Sequence, residues 1–140
     1  MAALAGIYRG SYDPASARIA AEAVLSMTLK LLRLAPPSPE HVRAQASYLN
    51  TSARYIAIKE SQAELAKREL LLLWTDYFKP AHLEDHPELH EIFWRAAKLC
   101  SACKQEVNET KAEQLVTEIR AIHELFWGTK GREVPWHLAG

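Results

Sequence analysis

The chain has 140 residues and a formal net charge of zero, because 17 lysines and arginines balance 17 aspartates and glutamates. This length predicts a single domain, and the 49% hydrophobic content excludes a wholly disordered protein. The charge balance argues against a nucleic-acid binder, since neutralising phosphates needs a surplus of lysine and arginine. Two cysteines are too few for the disulfide framework of a small secreted protein.

Neither a secretory signal nor a transmembrane span is predicted. The first residues have no basic region ahead of a long apolar stretch, as a signal peptide would. Residues 15–34 are strongly apolar, yet Arg18, Glu22, Lys30 and Arg33 recur through them at a high cost in lipid. We therefore expect an intracellular protein, in the cytoplasm or an organelle interior.

Good helix formers dominate the composition, which predicts an all-α fold. After an N-terminal arm, residues 1–12, Asp13 and Pro14 form the pair expected of an N-cap followed by a proline at the first helical position. The first predicted helix spans residues 13–34. The proline-rich stretch at residues 35–39 ends it, since no helix continues through such a run.

The second predicted helix spans residues 40–78 and contains neither glycine nor proline. Apolar residues repeat in it every seven positions, which is typical of a helix–helix interface. Residues 50–52, Asn-Thr-Ser, could break it because these types cap helices well, but we favour a continuous helix. The repeating positions are Val42, Leu49, Ile56, Ala63, Leu70 and Tyr77.

The last third of the chain predicts a third helix at residues 86–108 and a fourth at residues 110–127. Thr110 and Glu113 have capping-box spacing, and Gly128 is the expected stop before a C-terminal tail, residues 128–140. The second helix and the paired third and fourth have similar lengths and a short connector. The sequence therefore predicts one all-α domain, an elongated bundle of about four helices with a long antiparallel helical hairpin.

The densest group of candidate metal ligands is His82, His86 and His90. His86 and His90 stand four residues apart, a spacing that lets two imidazoles on one helix face reach zinc or a similar divalent metal. The alternative is a hydrated helix N-terminus with incidental histidines, because Pro87 places His86 at the very start of the helix. Metal binding through this cluster is the second functional hypothesis.

Other catalytic patterns are missing. Cys100 and Cys103 form a CxxC inside a predicted helix, on its apolar stripe, and this favours two packed thiols over a redox or zinc pair. His123 lies on the apolar stripe of the fourth helix and is predicted to be a hydrogen-bonded core residue. The sequence also contains no phosphate loop, nucleophile elbow or zincin motif, so the expectation is that the protein is not an enzyme and needs no cofactor.

Apolar surface exceeds what one bundle face requires. The first helix has only a narrow polar stripe, and the run from Leu70 to Trp74, four leucines and a tryptophan, places large side chains around the whole helix. This excess predicts a non-catalytic accessory subunit or adaptor, assembled with other protein subunits as a hetero- or homo-oligomer, with association to a membrane complex also open. The candidate interface residues are Leu25, Leu29, Leu32, Leu71, Leu72, Trp74 and Trp136.

Overall fold

The computed structural model describes residues 11–139, and these residues form five α-helices. Most of the predicted N-terminal arm, residues 1–10, lies outside the described part of the chain. The helices are α1 (Ala15–Arg33), α2 (Val42–Leu72), α3 (Pro80–Asp85), α4 (Leu89–Gln105) and α5 (Glu109–Thr129), with a π-helical turn at Leu73–Tyr77 after α2. The all-α prediction is confirmed, and so is a bundle of about four helices, since α3 has only six residues.

The four long helices enclose one core. α1 packs against α2 and α5, and α4 packs against α2 and α5. Small side chains make up part of this core: Ala17 and Ala21 on α1 and Ala63 and Ala66 on α2 are completely buried. Alanine at buried positions lets helix backbones approach closely. Phenylalanine and branched residues fill the opposite half, including Phe93, Leu115, Ile119, Ile122 and Phe126.

Helix α2 is continuous through residues 50–52 and extends over 31 residues. At 1.5 Å per residue it is roughly 46 Å long. Its heptad positions divide into two halves: Ala63 and Leu70 are buried, whereas Val42, Leu49 and Ile56 are 75%, 65% and 42% exposed. The heptad positions of α2 therefore pack within the chain only in the second half of the helix.

Several helix ends differ from the sequence prediction. The predicted helix at residues 40–78 ends at Leu72, because the next five residues form a π-helical turn. The predicted connector at residues 79–85 contains α3, which starts at Pro80. The predicted helix at residues 86–108 shortens to Leu89–Gln105, since Pro87 and Glu88 lie in a turn before it.

A buried lysine holds the corner between α4 and α5. Lys59 on α2 is 2% exposed, and its ammonium donates hydrogen bonds to the carbonyls of Cys103, Lys104 and Glu106. These oxygens belong to the end of α4 and its cap, where helix carbonyls lack partners within the helix. The positive charge is also favourable beside the negative, C-terminal end of the α4 dipole. Across the corner, the Asn108 side chain caps α5 by accepting a bond from the Lys111 N–H.

In residues 11–139, no helix combines the length and apolar character that a membrane crossing requires.

Candidate functional site: a cationic pocket beside two tyrosines

A cavity of about 630 Å³ lies between the start of α1, the π-helical turn and the end of α5. It opens beside Ser11, the first described residue. Aromatic, cationic and hydroxyl side chains form its wall, which makes it more polar than the other grooves of the bundle. The lining residues are Ser11, Tyr12, Asp76, Tyr77, Lys79, His82, Trp127, Lys130 and Arg132.

Tyr77 is the centre of this pocket. Its ring lies 5.8 Å from that of Tyr12 and stacks on the His82 ring at 5.8 Å with an angle of 12°. Its hydroxyl lies 2.6 Å from the Thr129 hydroxyl, which donates its own proton to the Phe126 carbonyl. Because the threonine proton is already used, the tyrosine O–H is the donor of the pair. Tyr77 therefore ties the pocket to the end of α5.

The π-helical turn places Tyr77 in this position. The N–H of Phe78 bonds the carbonyl of Leu73 at 3.1 Å, five residues earlier, instead of the α-helical four. The extra residue lets Phe78 enter the core while Tyr77 stays half-buried at the pocket edge. His82 is held from α3, where its Nδ1 accepts a bond of 3.0 Å from the Lys79 N–H.

The end of α5 supplies two of the cations. Gly131 has a φ of +64°, its N–H bonds the Gly128 carbonyl, and the Arg132 N–H bonds the Trp127 carbonyl. This pair of bonds is the Schellman arrangement, in which a glycine takes the left-handed conformation just past the helix. The predicted stop at Gly128 is therefore wrong: Gly128 stays helical, the helix ends at Thr129 and not at residue 127, and the left-handed glycine is Gly131.

The pocket carries more positive than negative charge. Three cations, Lys79, Lys130 and Arg132, face one carboxylate, Asp76, so the formal balance is three positive charges against one negative charge. The Lys130 ammonium stands 5.3 Å from the Tyr77 ring centre. A concave surface of one sign concentrates small ions of the opposite sign. The arrangement suits a small anion.

A buried donor on the pocket wall also lacks an acceptor. The indole Nε1 of Trp127 is buried and has no hydrogen-bond partner among residues 11–139. The Arg132 guanidinium lies over this ring, 5.0 Å from its centre. Since an unpaired buried N–H costs free energy, this donor destabilises the fold at the pocket wall.

The structure separates the predicted metal ligands. His82 stacks on Tyr77, while the Nδ1 of His90 accepts a bond of 2.7 Å from the Trp74 indole. His86 lies 3.8 Å from the Glu88 carboxylate through its Nδ1. Nowhere in residues 11–139 do three histidine, cysteine or acidic side chains assemble into a group that could hold a metal ion.

The two cysteines are core residues, as predicted. Cys100 and Cys103 are reduced and at most 2% exposed on the inner face of α4. Burial raises the pKa of the Cys100 thiol to about 12, and the nearby Cys103 adds to this. Burial also raises the pKa of Cys103, although the Lys59 ammonium opposes it. Both sulfurs therefore stay protonated near neutral pH.

His123 is a hydrogen-bonded core residue, as predicted. Its Nε2 lies 2.7 Å from the Val134 carbonyl, and Trp136 packs edge-on against its ring at 5.3 Å. The C-terminal tail thus folds back along α5 and reaches α1, where the Ala139 N–H bonds Glu22 at 2.6 Å.

The predicted interface residues occupy mixed positions. Leu32 and Leu71 are 53% and 37% exposed. The other five, Leu25, Leu29, Leu72, Trp74 and Trp136, are partly buried.

The sequence analysis missed the pocket. Its residues come from three separate parts of the chain, so no local motif marks them. The one signal available was Asp76-Tyr77-Phe78-Lys79. This polar and aromatic stretch continues an apolar helix without a glycine or proline.

Comparison with known proteins identifies relatives across most of the chain. Residues 6–130 match the family described as nickel-containing superoxide dismutase. "Superoxide dismutase (Ni)" from Streptomyces seoulensis is 40% identical over 121 residues, which are 86% of this chain and 83% of the relative. The protein of the same name from Streptomyces coelicolor is 38% identical over the same shares of both chains.

The fold agrees with that relationship. One similar crystal structure is a nickel-containing superoxide dismutase whose nickel ligation corresponds to the state after partial X-ray-induced reduction. It is 38% identical, has a TM-score of 0.76 and covers 88% of this chain and 95% of its own.

These findings overturn three expectations. The non-catalytic accessory subunit or adaptor is wrong, because the family and both relatives are named as enzymes. The expectation of no enzymatic activity is wrong for the same reason. The expected cofactor, none or zinc or a similar divalent metal, is also wrong, because the metal in the family's description is nickel.

Proposed function

This chain belongs to the nickel-containing superoxide dismutase family, and from that premise we propose that its substrate is superoxide. The reaction converts two superoxide ions and two protons into dioxygen and hydrogen peroxide, one superoxide being oxidised and the other reduced. The observation that carries the proposal is the match over residues 6–130, supported by 40% identity to a named dismutase.

The cationic pocket supports an anionic substrate of this size. Lys79, Lys130 and Arg132 attract a small anion. Tyr12 and Tyr77 both line the pocket, and the Tyr12 phenol offers a further donor, since the Tyr77 O–H is used by Thr129. These contacts would bind and orient superoxide before any electron moves.

The reaction also consumes protons, and His82 is placed to carry one. Its Nδ1 accepts the Lys79 N–H, so in the neutral ring the proton resides on Nε2. The ring lines the pocket and stacks on Tyr77, which holds its orientation. We assign His82 the role of proton donor toward the pocket.

The donor set of the described residues does not fit nickel. A transition-metal site needs several deprotonated donors at bonding distance, and no group of three histidine, cysteine or acidic side chains occurs in the described part of the chain. We therefore assign no ligand to nickel and derive no step through it.

The test measures superoxide consumption by stopped-flow absorbance, with the full chain produced in nickel-supplemented medium and purified without chelator. The activity should exceed that of an equal concentration of free nickel ion. Lys130→Gln and Arg132→Gln should each lower the second-order rate constant at low salt. One charge at about 8 Å in water contributes about 0.5 kcal/mol, or roughly a factor of two.

Lys98→Gln is the matched control, because Lys98 lies over Trp94 and outside the pocket. Its rate should equal that of the unchanged protein. A rate no higher than that of free nickel would refute the proposed function. If Lys98→Gln lowered the rate constant as much as Lys130→Gln, the pocket would have no special role in attracting the substrate.

For the partner, we propose a second copy of this chain that packs on the first half of α2. Val42, Leu49 and Ile56 continue the heptad of the buried half but remain exposed, which fits a self-complementary helix face. Light scattering on a gel-filtration peak should give a mass above 15.8 kDa, and Leu49→Glu should return it to that value. A monomer without the substitution would refute this interface.

A further inference from the structure

We infer that this 140-residue chain holds no nickel ion through its own cysteine or histidine side chains, in contrast to what its family description implies. The inference concerns the ligands and not the substrate, and it rests on the family assignment made above. Three independent observations carry it: the position of the thiols, the engagement of the histidines and the composition of the first ten residues.

The thiols are the first observation. Thiolate, not thiol, is the metal ligand, and the chain has only two cysteines. Both face the core on α4, among side chains that are themselves buried. Their burial raises both pKa values, so deprotonation is opposed at the pH where a metal would bind. Neither cysteine lines the cationic pocket.

The histidines are the second observation. His82 and His90 use one ring nitrogen each in hydrogen bonds to the chain, at 3.0 and 2.7 Å. His123 is buried and bonded to the Val134 carbonyl. His41 and His137 lie in unrelated parts of the fold, at the start of α2 and in the tail. No two of these side chains share a site with a third donor in the described part of the chain.

The third observation is the sequence of residues 1–10, Met-Ala-Ala-Leu-Ala-Gly-Ile-Tyr-Arg-Gly. These residues precede the pocket, which begins at Ser11, yet they contain no cysteine, histidine, aspartate or glutamate. The stretch therefore adds none of the side chains that bind transition metals most readily. The one remaining histidine, His86, lies 3.8 Å from the Glu88 carboxylate and belongs to no group of three donors in the described part of the chain.

The experiment measures nickel retained by the folded full chain, made without a polyhistidine tag. The protein is incubated with excess nickel chloride and desalted, and its nickel content is measured by mass spectrometry. The absorbance spectrum is scanned for thiolate-to-nickel charge transfer. We expect less than about 0.1 nickel per chain and no such absorption. About one nickel per chain with charge-transfer bands would overturn the inference.

Two controls make the result specific. The same chain unfolded in urea exposes both thiols and should show charge-transfer absorption with nickel. That result would confirm that burial in the folded protein keeps the thiols from binding nickel. Cys100→Ala/Cys103→Ala should retain as little nickel as the unchanged folded protein. Nickel retained by the unchanged protein and lost in this double variant would also overturn the inference.

The superoxide assay then separates the two proposals. Rapid superoxide consumption without retained nickel supports the inference and keeps the proposed substrate. No consumption and no nickel supports the inference and refutes the proposed function. Retained nickel overturns the inference at any rate of superoxide consumption.

Discussion

Replacing Lys59 with methionine should destabilise the fold more than replacing any other single lysine. Methionine keeps most of the apolar stem but removes the ammonium, which serves the carbonyls of Cys103, Lys104 and Glu106. Each hydrogen bond from a charged donor contributes about 1.5–3 kcal/mol. Part of this loss is offset, because burying the ammonium costs desolvation free energy that methionine avoids. The same desolvation lowers the pKa of Lys59 in the folded protein. The expected net loss is about 3 kcal/mol, or about 10 °C in Tm.

Urea unfolding followed by helical circular dichroism measures this loss. Lys67→Met is the matched control, because Lys67 lies two turns further along α2 and makes one bond, of 3.1 Å, to the Ser101 hydroxyl. That variant should lose less than about 1 kcal/mol. A loss in Lys59→Met no larger than in Lys67→Met would refute the view that the ammonium holds the α4–α5 corner.

Three further predictions concern stability. Gly131→Ala should cost about 1 kcal/mol because alanine resists a φ of +64°, whereas Gly128→Ala should add about 0.5–1 kcal/mol inside the helix; urea titrations that give both the same sign would contradict this. The pKa of Cys100 is raised from 9.0 to about 12, so the folded state holds the thiol proton more tightly than the unfolded chain does. The free energy of unfolding should therefore be unaffected by this thiol below pH 9.0 and should fall by up to about 1.4 kcal/mol per pH unit between pH 9.0 and about 12. Cys100→Ala should flatten that slope in a pH series of unfolding curves. Trp136→Ala should speed hydrogen exchange at residues 132–139 and leave the α2 amides unchanged, and an unaltered tail would contradict the packing of Trp136 on His123.

The sequence predicted the helices well because local signals determine them. Asp13 accepts a bond of 2.9 Å from the Ala15 N–H, as its position before a proline indicated. The Pro-rich stretch at residues 35–39 separates α1 from α2 as expected. The end of α5 was less predictable, because two glycines follow one another closely there. Gly128 and Gly131 are both suitable stops, and only the backbone at Gly131 takes the left-handed conformation.

The pocket could not be predicted because its parts meet only in three dimensions. Tyr12 lies 65 positions before Tyr77, and Arg132 follows 55 positions later, yet all three line one cavity. The wrong expectation of a non-catalytic adaptor had the same origin. The residues that resemble those of the enzymes are spread over 121 positions, and in residues 11–139 no three potential ligands come together to mark a metal site.

The π-helical turn at Leu73–Tyr77 makes the length of this segment critical. One residue corresponds to about 100° of rotation in a helix. Wound as an α-helix, these five residues would instead turn everything after them by about that angle. Phe78 would leave the core and Tyr77 would leave the pocket together. The π-helical turn accommodates the extra residue and so keeps both rings in their places.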